Sequence, residues 1–415
     1  MNKRRVVITG LGVVACNGIG KDNFWQANVQ GRSGIGKITR FDSDACDTHI
    51  AGEVRDFDPS QFVPAEVVKK VDRFVHLGLA CSEMALQDSG LDLNGLDKHR
   101  VGVVIGSGLG GMMFHEEQMV LILEKGVNRI NPSSVPRISP NAVSSHIAIR
   151  YGFLGPNMVI STACASASHA IGEAFRKIQW GDMDICVTGG VEAPLTRLNF
   201  GAYCALRVVS KKNDVPEEAS RPFDLQRDGF VLSEGGGGII LEELEHALKR
   251  NAPIYAEVTG YASNSGARHM VMPDVTGEDA ARVMADALKD AHKTTAEVDY
   301  INAHATSTVQ NDRAETKAIK NVFGEQAYKI PVSSTKSMIG HSLGAAGAIE
   351  AVVCSLAIKN KFIPPTINLK VKDPECDLDY VPLVGRSARL DTVLSNSFGF
   401  GNCNACIVFS DFKGE

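Results

Sequence analysis

Four side chains in this 415-residue sequence could together form a reactive constellation: Cys164, His304, Lys336 and His341. Cys164 lies in Ser161-Thr162-Ala163-Cys164-Ala165-Ser166, after the apolar run Met158-Val159-Ile160 and ahead of a helix-like segment ending at Trp180. A cysteine in the first turn of a helix meets the positive end of the dipole and unpaired N–H groups, and both favour the nucleophilic thiolate. A small buried thiol fits the same stretch, so taken alone it leaves packing and nucleophile open. His304 ends the strand-like Tyr300-Ile301-Asn302-Ala303 and leads into Thr306-Ser307-Thr308, where a chain reversal would turn the imidazole into a cleft. Lys336 and His341 follow the strand-like end Ser333-Ser334 and enter a helix of Ala and Gly. A lone histidine is usually structural, as His169 is expected to be. Two at strand ends, with a lysine and a cysteine, form a constellation.

Rival motifs fail on physical grounds. Gly10 to Ala15 and Gly106 to Gly111 imitate a dinucleotide fingerprint, yet the first runs on into a loop. The second opens a helix with no acid-terminated strand after it. Gly340-His341-Ser342-Leu343-Gly344 imitates a hydrolase nucleophile elbow, which needs a later histidine, and none follows His341. Cys403 and Cys406 form a lone CxxC whose spacing on a strand puts the thiols on opposite faces.

The elements that must position these residues alternate between strand-like and helix-like segments, which argues an α/β protein. An internal echo divides the chain into halves at 1–255 and 256–415. MVISTACASASHAIGEAF is matched by IPVSSTKSMIGHSLGAAGAIEAV, and Val231-Leu232-Ser233 by Val393-Leu394-Ser395. Arg5 to Thr9 reads as a strand running into a glycine turn, in preference to a leader ending at Val-Val-Ala-Cys. With 43 basic and 48 acidic residues, the balance gives no reason to expect nucleic acid as partner. No apolar run reaches membrane-spanning length, since Gly344 to Ile358 is broken by Glu350. Ten cysteines without regular spacing suit a reducing cytoplasm.

STACAS, NAHATST, STKSMIGHSLGAAG and NSFGFG, in this order and nearly end to end, resemble the β-ketoacyl-acyl-carrier-protein synthases, decarboxylating condensing enzymes. The resemblance implies a thiolase-like five-layered αβαβα fold from a duplicated α/β half, a homodimer, and acyl- and malonyl-loaded acyl carrier protein as partner. It implies that Cys164 carries the acyl group while His304 and His341 donate hydrogen bonds to the malonyl thioester. Lys336 would hold the histidine site. Phe400 would be a gate whose N–H joins that of Cys164 in an oxyanion hole. Leu109, Thr306 and Thr308 would border the substrate pocket. Asp312 and Glu315 would support the site, although their spacing also makes a capping box for a helix starting at Arg313. No cofactor is implied beyond a structural monovalent cation near Asn302, Glu350 and Asn396, for which the plain alternative is a salt bridge. Because carrier proteins are acidic, Lys69, Lys70, Arg73, Arg129, Arg207, Lys211 and Lys212 are candidate docking residues.

The chain departs from the family pattern at Ala305, where NAHGTST is usual, and at Gly401-Asn402-Cys403-Asn404, where GFGGTN is usual. Gln310 to Arg313 and Asp373 to Pro382 resemble ketosynthase subunits of type II polyketide systems. That keeps a polyketide or polyene ketosynthase, paired with a chain-length subunit, as the second enzymatic expectation. A silent chain-length subunit would lack the cysteine that this chain retains. A CoA-dependent thiolase would lack the His304 and Lys336 pattern.

Overall fold

The computed structural model describes residues 3–414. Its centre is an eleven-stranded mixed sheet. Ten strands carry the plan: β1 (Val6–Ala15), β2 (Val101–Gly106), β3 (Asn157–Ile160), β4 (Ile185–Glu192), β5 (Gly235–Glu243), β6 (Ala256–Ser265), β7 (Tyr300–Asn302), β8 (Val332–Ser333), β9 (Thr392–Gly399) and β10 (Cys403–Ser410). Across the sheet they run β3-β2-β4-β5-β1-β6-β10-β9-β7-β8. Read outward from β1 and from β6, the two halves have the same order: first, fifth, fourth, second, third. The halves meet through three antiparallel pairs, Val6 to Ile8 against Val258 to Ala256.

Helices complete five layers. Helices α1 (Arg73–Ser89) and α2 (Ala142–Tyr151) cover the outer face of the first half around one apolar cluster. Helices α5 (Glu278–Asp290) and α6 (Val309–Phe323) cover the second around another. Between the halves lie α3 (Ser166–Gln179) and α7 (Ala346–Asn360), sharing the largest cluster with β1, β5, β6 and β10. Helix α4 (Arg197–Ala205) lies beside the site described below. The apolar segment Leu343–Asn360 is long enough to cross a membrane, but 89% of it is buried inside the protein, so its hydrophobicity serves the middle layer.

The sequence-based strand at Arg5 to Thr9 exists but does not stop at a glycine turn, because β1 runs through Gly10 and Gly12 to Ala15. Those glycines answer to packing: a Cβ at Gly10 would lie 2.1 Å from the Ala85 carbonyl, and one at Gly12 would lie 2.1 Å from that of Cys81. Their bareness lets α1 cross β1 closely. The capping box at Arg313 is also absent, since α6 begins at Val309 and Asp312 and Glu315 lie inside it.

Candidate active site

Two corresponding strand–turn–helix units, one from each half, supply the reactive side chains. In the first, β3 leads through Ser161 to Ala165 into α3, with Ala165 as N-cap. Cys164 therefore precedes the helix and does not sit in its first turn as the sequence suggested. Ala163 has φ 51°, a left-handed conformation uncommon for a residue with a Cβ, and it turns Cys164 toward the other half. The Ser166 hydroxyl braces the turn by donating to the Ala163 carbonyl (2.6 Å) and accepting from the Thr162 N–H (2.9 Å). His169 contacts Thr162 Oγ1 and the Ala165 carbonyl, which is the structural role expected of it.

In the second unit, β8 leads into the short helix Lys336–Ile339 and then His341. The His341 N–H donates to Val231 O (2.7 Å) and its carbonyl accepts from the Ser233 N–H (3.0 Å), so a segment of the first half holds it. His341 Nε2 lies 3.0 Å from Cys164 Sγ. The His304 ring stands 5.4 Å from that of His341 at 84°. Both histidines, Thr306, Thr308, Phe398 and Phe400 line one cavity with Cys164. Leu109 packs in the apolar cluster around Cys164.

Burial sets the protonation states. Desolvation pushes both imidazoles well below their usual range, and the Lys336 charge pushes each the same way. Both Nδ1 atoms are buried without a partner. A buried orphan acceptor costs less than an orphan N–H, so the proton belongs on Nε2 of each ring, facing the cavity. The site thus presents two neutral N–H donors. Desolvation likewise pushes the Cys164 thiol up to about 12, against the pull of Lys336 and of the Phe400 and Cys164 N–H groups. The thiolate bias expected from the helix end is outweighed, and the resting group is a thiol.

Lys336 and Glu350 form an ion pair, each side chain 1% exposed. Burial raises the Glu350 carboxyl, and the lysine opposes that shift. This is the plain salt bridge that the sequence left as the alternative to a cation site. Asn302 shares the face of Tyr300 and contacts its hydroxyl (3.2 Å), toward the middle layer. Asn396, one residue beyond the Ser395 that pairs with Asn302, points to the outer face and donates to Glu315. Asn302 Oδ1, Glu350 Oε2 and Asn396 Oδ1 are each buried without a hydrogen-bond partner.

Glu315 accepts the backbone N–H groups of His304 (2.9 Å) and Ala305 (2.8 Å), and so fixes the turn carrying His304. Asp312 accepts the Phe223 N–H and pairs with buried Arg227, which sets it one shell farther out. Sequence reasoning missed Glu192. Fully buried at the end of β4, it accepts N–H groups from Gly108 (2.7 Å), Leu109 (3.1 Å) and Gly344 (3.1 Å) and the Ser107 hydroxyl (3.1 Å). Burial lifts its carboxyl to about 7 against these four donors. An acid ending the apolar strand ICVTGGVE was the signal available. Among the docking candidates, Lys69, Lys70, Arg129 and Arg207 are exposed. Lys211 and Lys212 pair with Asp47 and Glu218. Arg73 is a correction: it grips Glu234 through Nε (2.6 Å) and Nη2 (2.8 Å) and also donates to Val54 O, so it ties loops together and is not free to dock a partner.

Family comparison agrees with this architecture. Residues 3–247 match the beta-ketoacyl synthase N-terminal domain and residues 255–370 its C-terminal domain. The chain is 48% identical over 410 residues to 3-oxoacyl-[acyl-carrier-protein] synthase 2 of Coxiella burnetii, covering 99% of both chains. It is 47% identical over 413 residues to the protein of that name from Synechocystis, covering 100% of this chain and 99% of the other. Among solved structures, a type II polyketide ketosynthase in complex with its acyl-carrier protein superposes with a TM-score of 0.92 at 38% identity, over 99% of this chain and 100% of that one. The ishigamide ketosynthase/chain length factor gives 0.93 at 34%, with the same coverage.

The buried ion pair yields a test. Lys336→Met strands the Glu350 carboxylate and should cost about 3–5 kcal/mol. Adding Glu350→Leu should restore most of the melting temperature without restoring activity. Thermal denaturation of the single and double variants reads the stability outcomes, and an activity assay of the double variant reads the other.

Proposed function

The chain belongs to the β-ketoacyl synthase family, and from that premise we propose how its residues divide the work of a decarboxylative condensation. It is a condensing enzyme, a C–C bond-forming acyltransferase that joins an acyl group to malonyl-acyl-carrier protein in fatty-acid elongation. The observation that carries the assignment of roles is the contact of Cys164 Sγ with His341 Nε2 at 3.0 Å, beside a second neutral imidazole.

In the first half-reaction, Cys164 sulfur attacks the acyl thioester and the thiol proton passes to the departing carrier thiolate. The S–C bond to the enzyme forms as that to the carrier breaks. The Phe400 and Cys164 N–H groups, both of which favour negative charge at the sulfur, hold the tetrahedral oxygen. In the second, the malonyl thioester carbonyl lies between His304 Nε2–H and His341 Nε2–H. Carbon dioxide leaves, and its bonding pair becomes an enolate that the two donors stabilise. The new carbanion attacks the acyl carbonyl on Cys164 and expels the thiolate, which takes a proton from solvent. Neutral imidazoles suit this work, because they meet growing charge without surrendering a proton. Lys336 keeps both rings neutral and the field positive.

Acyl carrier protein is the partner this reading requires, with Lys69, Lys70, Arg129 and Arg207 as exposed cations to receive it. The ten free cysteines suit a reducing cytoplasm. A homodimer is supported by β3, an edge strand with one neighbour, and by the exposed apolar patch of Met119, Val120, Leu123 and Leu198. Sedimentation velocity should give twice the 44.5 kDa chain mass, and a monomer at micromolar concentration would contradict it. The polyketide reading rests on the structural neighbours and on Gln310 to Arg313, with a chain-length subunit then replacing one copy.

The acyl-enzyme provides the direct test. Incubation with acyl-loaded carrier protein should add one acyl mass to the intact protein, and Cys164→Ala should abolish both that adduct and, with malonyl-loaded carrier protein added, the product. An unacylated wild type, or an active Cys164→Ala, would defeat the assignment. Unreduced repeated condensation products would select the polyketide pathway.

A further inference from the structure

Phe400, Gly401 and Asn402 form the three-residue tip of the hairpin joining β9 to β10, closed by the Gly399–Cys403 pair. This tip presses on the nucleophile. A Cβ at Gly399 would lie 2.8 Å from the Thr162 carbonyl, and the Phe400 N–H favours negative charge at Cys164. Alongside, β10 pairs with β6 through Cys403 and Ser265, and the chain leaves β6 as a loop from Gly266 to Gly277. Val271 and Met272 of that loop line the same cavity as Phe400. Two separate segments therefore wall one entrance to the reacting sulfur.

Asn402 fastens them together. Its Oδ1 accepts from the N–H of Arg268 (3.0 Å) and of His269 (3.0 Å), and its Nδ2 donates to Met272 O (3.0 Å). Backbone contacts add Gly266 N–H to Asn402 O (3.0 Å) and Gly401 N–H to Met270 O (2.7 Å). Asn402 has φ 55° and is 6% exposed. This is the position at which the sequence departs from the glycine of GFGGTN. Asparagine tolerates the left-handed conformation that glycine would adopt, so the backbone keeps its shape while the side chain adds three hydrogen bonds.

We infer that Asn402 is a positioning residue that latches the Phe400 hairpin to the loop 266–272, so that the two walls of the cavity are held as one unit beside Cys164. The latch holds the Phe400 N–H in place and excludes water while the enolate waits for its acceptor. This inference rests on the condensing reaction proposed above, but its first readout does not require turnover.

The experiment compares wild type, Asn402→Gly and Asn402→Asp by amide hydrogen exchange and by parallel assay of carbon dioxide release and C–C bond formation. Asn402→Gly should raise exchange across 266–272 by roughly ten- to a hundredfold, the loss expected for three hydrogen bonds, while the melting temperature falls by only a few degrees. Acylation of Cys164 should quicken, and the ratio of carbon dioxide released to product formed should rise several-fold above one. Asn402→Asp keeps the two acceptor contacts and loses the donation to Met272 O, so it should fall between. Unchanged exchange in 266–272 for Asn402→Gly would overturn the latch, as would faster exchange with a ratio still at one. A wild-type protein that is never acylated would instead defeat the functional reading and leave the exchange result standing.

Discussion

The 3.0 Å contact between Cys164 Sγ and His341 Nε2 joins the two halves of the chain at their corresponding turns, and much of the surrounding structure exists to permit it. Neither turn could approach so closely with ordinary side chains along its edge. A Cβ at Gly344 would lie 2.4 Å from Glu192 Oε2, and one at Gly399 would press on Thr162 and Ala165. Glu192 then binds the two sides, accepting from Gly108 and Leu109 on one and from Gly344 on the other. A carboxylate buried this deeply is tolerable only because four donors surround it.

Enclosure decides the chemistry as well as the geometry. Taken out of water, the imidazoles stay neutral and the thiol keeps its proton. A site exposed to solvent would leave histidines titrating in the physiological range, where a charged ring could not act as an indifferent donor at every pH. Lys336 intensifies the effect but must itself be neutralised, and Glu350 does so from the apolar helix α7. A buried pair of this kind is weak as a source of stability, so its retention belongs to the site's field.

Much of this was legible in the sequence, and the limits have physical causes. Cys164, His304, Lys336 and His341 could be picked out because each ends a strand-like run beside small or hydroxyl residues, and the structure gathers the cysteine and both histidines around one cavity, with Lys336 buried in its ion pair with Glu350. The duplicated halves were visible because the same strand, turn and Ala/Gly helix recur. The thiol's state was not visible: a helix end is a local signal, whereas desolvation depends on what the other half lays over it. Arg73 read as a free cation because Glu234, its partner, lies 161 residues away. The different partners of Asn302 and Asn396 followed only from the register of β7 against β9, which showed which face each occupies. Asn402 stood out only as a departure, and its meaning came from the loop packed against it.

The claim at the centre is that two neutral imidazoles stabilise the enolate. The direct measurement is the rate of carbon dioxide release from malonyl-acyl-carrier protein by a Cys164→Ala variant, followed from about pH 5.5 to 8, a range spanning the ordinary imidazole pKa. Histidines held well below that pKa are already neutral throughout, so the rate should be flat, and His304→Ala or His341→Ala should each abolish it. A rate that changes through an apparent pKa near the ordinary imidazole value, or one indifferent to both histidines, would contradict the account.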